Sequence, residues 1–200
     1  MKSILLAAIT GLLVLSACNQ KQNASSESKK ITIILQPFDD FPESYLKEVH
    51  KNLKTVYSSV KVAEKIPFPK GTWNHNKTRR RADASIAYLT NIAGKNQLVI
   101  GLTTKDISTS KDGKPDWGVF GLGYRPGKSC IASTFRLKGD KTGKLFKVAI
   151  HELGHTQGLP HCPEKNCFMR DAEGKDVLDE EHEFCDYCKT ALIRHGWNLK

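Results

Sequence analysis

The sequence predicts an α/β domain, a sheet with helices packed against it. Short apolar runs rich in β-branched residues, ITIILQPF at 31–38 and LVIGLT at 98–103, have the length and composition of buried strands. The stretches between them repeat their apolar residues every three or four positions, as amphipathic helices do. Strands and helices therefore interleave from the start of the domain, the order that builds a sheet covered by helices. No internal repeat is visible.

The elements follow in order. ITIILQPF is a strand ended by a proline. FPESYLKEVHKNLKTVYSS places Pro42 and Glu43 at a helix start, with Tyr45, Val49, Leu53 and Val56 at helical spacing. SVKVAEKIPFP (59–69) alternates and reads as a second strand, and GTWNHNKTR (71–79) as a polar loop. RADASIAYLTNIAGKN gives a second helix, with Ala82, Ile86, Leu89 and Ala93 on one side and Gly94 as its stop. LVIGLT is the third strand, and KDISTSKDGKPD (105–116) reads as a charged loop. WGVFGLGYR and SCIASTFRL are two more strands joined at Pro126-Gly127. LFKVAIHELGHTQGL is a helix with Leu145, Ala149 and Leu153 on one face, and DEEHEFCDYCKTALIRHGW (179–197) is the last helix. The acidic run Asp179-Glu180-Glu181 is expected at that helix's N-terminus, where the dipole favours negative charge.

The domain is expected to span residues 31–200. Before it, MKSILLAAITGLLVLSAC has a lysine at position 2, an apolar run from Ile4 to Leu15 and small residues before Cys18, the three-part pattern of a signal peptide. The run is short of the ~20 residues a membrane span needs. Leu15-Ser16-Ala17-Cys18 resembles the bacterial lipobox, which implies a signal peptide over 1–17, acylation of Cys18 and a lipid anchor in a bacterial membrane. Residues 18–30 continue as a polar, flexible tether. The expected location is the cell envelope, exported and lipid-anchored. The alternative is cleavage near Ala17 and a soluble secreted protein.

The chain of 200 residues carries a net charge of +10, which raises the question of nucleic acid. The lysines are scattered, and the one tight basic cluster, Lys77-Thr78-Arg79-Arg80-Arg81, has neither an aromatic stacking platform nor zinc-finger spacing beside it. No nucleic-acid partner is expected, and the protein is expected to act as a monomer.

Chemistry concentrates in HELGHTQGLPHC, residues 151–162. On a helix, His151 and His155 project from one face one turn apart and can share a zinc ion. Glu152, beside the first histidine, lies near that ion without having to ligate it and is placed to act as general base. Gly158 can take a positive φ, end the helix and turn the chain, which lets His161 return as a third ligand. Three histidines leave one position open for water, the arrangement of a catalytic zinc.

The full His-Glu-x-x-His-x-x-Gly-x-x-His pattern resembles the signature of the metzincin clan of zinc metallopeptidases. Cys162 directly after the third histidine, then Cys167-Phe168-Met169, then Cys185-Asp186-Tyr187-Cys188, resemble archaemetzincins within that clan. RRRADASIAYL, VIGLTTKDIS, DWGVFGLGY and ASTFRL are also similar, so the resemblance runs from about Ile31 to Trp197. The segment between Met169 and Cys185 is about two residues shorter than the family's pattern; the difference falls in a loop and leaves the ligand set intact.

The resemblance implies a mixed twisted sheet with an antiparallel edge strand, a zinc-binding active-site helix and a small C-terminal four-cysteine zinc subdomain. It implies that His151, His155 and His161 hold catalytic zinc, that Glu152 is the base of peptide-bond hydrolysis, and that Met169 forms an apolar floor beneath the ion. A peptide or protein substrate would then lie extended along an edge strand, for which Gly118 to Tyr124 is the candidate. Gly121 and Gly123 there would either admit a second backbone or bend the strand.

Cys162, Cys167, Cys185 and Cys188 have the spacing of a closed, structural four-thiolate zinc site, giving two zinc ions per chain. The competing reading is two disulfides, which export permits. Cys130 is expected in the core. His50, His75, His182 and His195 are read as solvent or packing residues. The rival from another functional class is a zinc-containing, catalytically inactive peptide-binding module on the envelope. The intact Glu152 opposes it, because such a module has no need of a base.

Overall fold

The computed structural model describes residues 31–172 and 175–200; the expected signal peptide, the expected lipidation site Cys18 and the expected tether lie outside them. The main sheet has five strands. β1 (Thr32–Pro37), β2 (Val60–Val62), β4 (Gln97–Thr103) and β8 (Ser129–Ser133) are mutually parallel, and β7 (Gly121–Gly123) runs antiparallel on the edge beside β8, in the order β2-β1-β4-β8-β7. A smaller sheet holds β3 (Arg80–Arg81), β5 (Ile107–Lys111) and β6 (Lys114–Val119).

Side chains alternate across the main sheet and fill two cores. Leu98, Ile100 and Leu102 of β4, with Cys130 and Ala132 of β8, face one core. Into it pack Leu46, Val49 and Leu53 of α1 (Glu43–Val56) and Leu145, Ala149 and Leu153 of α3 (Lys141–Thr156). Val99 and Ile131 point the other way and meet Ala82, Ile86 and Leu89 of α2 (Ala82–Ile92). The mixed sheet, its antiparallel edge, the packed helices and the buried Cys130 agree with the sequence.

Four expectations are corrected. The segment 105–116 is mostly a hairpin rather than a loop, and Asp112 and Gly113, both at positive φ, make its tight turn. The strand expected over 117–125 is broken at Phe120, so its first half pairs with β5 and its second with β8. Only Val60–Val62 of 59–69 forms a strand, with one further bridge from Ile66 to Phe38. The last helix, α4 (Asp186–Arg194), starts well after Asp179. Leu178–Glu180 is a separate 3-10 turn, and Cys167 pairs with Glu183 between the two. The thiol cluster accounts for this, because Cys185 must bend out of helical geometry to reach the other cysteines. Among the described residues no helix is long and apolar enough to cross a membrane.

Candidate active site

α3 begins at Asp140, whose carboxylate accepts the Gly143 amide at 3.0 Å. Its apolar face is held against β8 and α1, which fixes the opposite face over the cleft. There His151 and His155 stand with ring centroids 4.6 Å apart. Gly158 has φ +86°, the turn that ends the helix. His161 comes back with its ring 5.4 Å from His151 and 4.9 Å from His155. One ligating nitrogen from each of the three lies within 4.8 Å of the others.

The tautomers are set by neighbours. His151 Nδ1 is 2.7 Å from the Phe168 carbonyl and His155 Nδ1 is 2.8 Å from the Leu159 carbonyl. A carbonyl can only accept, so both Nδ1 atoms carry the proton and both Nε2 lone pairs are free. His161 Nδ1 lies 3.2 Å from the Asp171 carboxylate. Burial, with His155 next in importance, holds His151 down at about 3, and burial also lowers His155. These two imidazoles are therefore neutral and available as ligands at neutral pH. Tetrahedral zinc would need nitrogens ~3.4 Å apart, from Zn–N bonds of ~2.1 Å, so the donor set fits that ion.

Glu152 is buried and its carboxyl is pushed up to about 8 by burial, against a smaller opposing effect of the Gly123 backbone. A Cβ at Gly121 would sit 2.7 Å from Glu152 Cγ and 2.8 Å from its Oε1. One at Gly123 would sit 2.6 Å from the Glu152 carbonyl oxygen. The close neighbour at both glycines is the active-site helix of the same chain: Gly121 gives room to the Glu152 side chain, and Gly123 alone admits a backbone, the Glu152 carbonyl. Met169 is fully buried, and its sulfur lies against Gly154, on the helix turn between His151 and His155.

Behind His161, the sulfurs of Cys162, Cys167, Cys185 and Cys188 also lie within 4.8 Å of one another. All four are free thiols, with Cys162 and Cys185 3.7 Å apart. A tetrahedron of ~2.3 Å Zn–S bonds has edges of ~3.8 Å, so the cluster fits zinc rather than a pair of disulfides. The amides of Met169 and Cys185 both point at Cys167 Sγ, each at 3.4 Å. Burial pushes the Cys167 thiol up to about 11 and Cys188 higher still, whereas at Cys185 the upward push of burial is outweighed by hydrogen bonds from the Cys188 backbone and the neighbouring thiols, and that thiol is lowered.

Every sequence-predicted ligand thus joins one of two clusters. His182 and His195 are exposed, and His50 lies 3.3 Å from the Val60 carbonyl, away from the site. Sequence reasoning missed Asp171 as the partner of His161, because a lone aspartate in a loop carries no spacing signal. The cleft has a volume of about 790 Å³ and runs from Trp117 and Gly118 past His151 and Glu152 to Leu178 and Glu181.

Residues 27–194 match the family model described as Peptidase family M54. The archaemetzincin of Haloquadratum walsbyi is 29% identical over 171 residues, covering 78% of this chain and 96% of that protein. That of Methanopyrus kandleri is 29% identical over 177 residues, covering 85% and 90%. The crystal structure of the M. kandleri archaemetzincin superposes with a TM-score of 0.71 at 28% identity, covering 84% of this chain and 97% of that one. The fold of the Archaeoglobus fulgidus archaemetzincin, crystallised with malonate, is matched with a TM-score of 0.69 at 24% identity, over 80% of this chain and 99% of that one. With a three-histidine cluster, an adjacent buried glutamate and a four-cysteine cluster in place, the chain belongs to peptidase family M54, the archaemetzincins, and is a zinc metallopeptidase.

Proposed function

We propose that the protein hydrolyses peptide bonds with Glu152 as general base, on a substrate that adds as a strand along the free edge of β7. The convergence of three histidine nitrogens beside the buried Glu152 carries this reading. Zinc held by His151, His155 and His161 would supply Lewis acidity, polarising a carbonyl and acidifying water. The chain's own groups do the rest. Glu152 takes the proton of the attacking water and returns it to the departing amine nitrogen. With a cation held by the three histidines, the raised Glu152 pKa would fall and its carboxylate would start ionised. Phe168, Leu159 and Asp171 hold the imidazoles with Nε2 toward the cleft, and the edge of β7 offers main-chain groups to an extended peptide. Cys162, Cys167, Cys185 and Cys188 would hold a second, structural zinc that ties α4 to the segment after His161.

The lipobox-like Leu15-Ser16-Ala17-Cys18 supports an exported protein held at the bacterial envelope by an acylated Cys18, with the polar tether spacing the domain from the membrane. The domain is read as a monomer that does not bind nucleic acid. A broad peptide library, offered to the zinc-loaded wild type and to Glu152→Ala, tests the activity: cleavage is expected only from the wild type. An uncleaved library with zinc fully bound would support the inactive binding module instead. Cys18→Ser should abolish labelling by a fatty acid and release the protein from membranes; retained labelling would refute the anchor.

A further inference from the structure

Glu181 is a buried acid that the hydrolytic steps do not use. It is only 2% exposed, yet it lies in the wall of the same cleft as His151 and Glu152, and its Oε2 has no hydrogen-bond partner among the described residues. The Lys147 and Arg170 charges act on it through space, but these groups and Asp176 make their hydrogen bonds elsewhere. Lys147 donates to the Leu178 carbonyl at 2.6 Å, Arg170 to Glu180 at 2.8 Å, and Asp176 accepts from Lys144 at 2.8 Å. A buried carboxyl left without a partner is costly, and proteins keep such groups mainly where a ligand completes them. Val148 and Leu178 line the cleft as well, apolar surface suited to the methylene stem of a long side chain.

We propose that Glu181 makes the cleft selective for a basic side chain, lysine or arginine, on a residue beside the scissile bond. This rests on the peptidase reading and names its substrate class. The ammonium or guanidinium would satisfy Oε2 with a charge-assisted hydrogen bond while the stem lies against Val148 and Leu178. A neutral side chain leaves the acid unpaired, and an acidic one opposes it. Burial pushes the free Glu181 carboxyl up to about 7, so it is incompletely ionised until a cation arrives.

Matched peptides carrying lysine, norleucine or glutamate, scanned across the positions flanking the cleaved bond, test the proposal on the zinc-loaded full chain. At one position kcat/KM should favour lysine over norleucine by about 30-fold, the size of one buried charge-assisted hydrogen bond. In Glu181→Gln that ratio should fall below about 3-fold, as expected when only a neutral hydrogen bond is left. Glu181→Asp, which keeps the charge, should retain the direction of the preference. Calorimetry of the same peptides with Glu152→Ala gives a readout apart from turnover. The lysine peptide should bind more tightly and release protons near pH 7, and both effects should vanish when Glu181→Gln is added. Equal use of lysine and norleucine by the wild type, or a lysine preference that survives Glu181→Gln, overturns the proposal. Absence of cleavage with zinc bound counts against the peptidase reading instead, and the binding ratio then decides the role of Glu181.

Discussion

The sulfur of Met169 packs directly against Gly154, the glycine between the two helical histidines, and no β-carbon fits between them. Gly154→Ala is therefore expected to push the Met169 side chain away from the helix turn that carries the two histidines. Overpacking of this kind costs ~1–3 kcal/mol. A lowered thermal midpoint together with at least tenfold weaker zinc binding at the histidine site is the expected result, read by chelator competition.

Glu152 is ionised in the unfolded chain above about pH 4.5 but only above about 8 in the folded metal-free protein. The folded state thus binds more protons across that window, and its stability falls as pH rises through it. Glu152→Gln removes this effect. Urea titrations of zinc-stripped protein should show a stabilisation by Glu152→Gln that is absent near pH 4 and grows toward pH 8, while the zinc-loaded variant loses most of its turnover.

Asp171 holds the Nδ1 side of His161. Removing such a supporting carboxylate typically weakens metal binding 10–100-fold. Asp171→Ala should weaken the histidine site by about that factor and leave the thiolate site loaded, which separate chelator titrations would resolve.

Cys162 adjoins His161, and its amide donates to the Met169 carbonyl at 2.7 Å. Losing the thiolate ion should therefore disturb the histidine site as well. Cys185→Ser is expected to lose one zinc, to lower the thermal midpoint and to loosen the remaining ion. A wild-type-like midpoint would mean that the cysteines are not a structural clamp.

The ligand residues could be read in the sequence because helix periodicity fixes the geometry of His151 and His155, and because Gly158 is a glycine for a conformational reason. The α1, α2, β1, β4 and β8 segments were legible for the same cause: each buries one face, so its period is written in its apolar residues. The hairpin over 107–119 was hidden because its strands are polar and exposed, although Asp112-Gly113 is a hairpin turn pair. The start of α4 was misplaced because Cys185 answers to its three sulfur partners, a tertiary demand that local periodicity does not record. The glycines of β7 show the same limit: Gly121 and Gly123 were visible, but only packing shows that Glu152 is what they admit.

Zinc analysis of the metal-saturated domain is the most direct check on the central claim that three imidazoles and four thiolates hold separate ions. Two zinc ions per chain are expected in the wild type and one in His161→Ala. A single ion in the wild type, or two retained without His161, would contradict it.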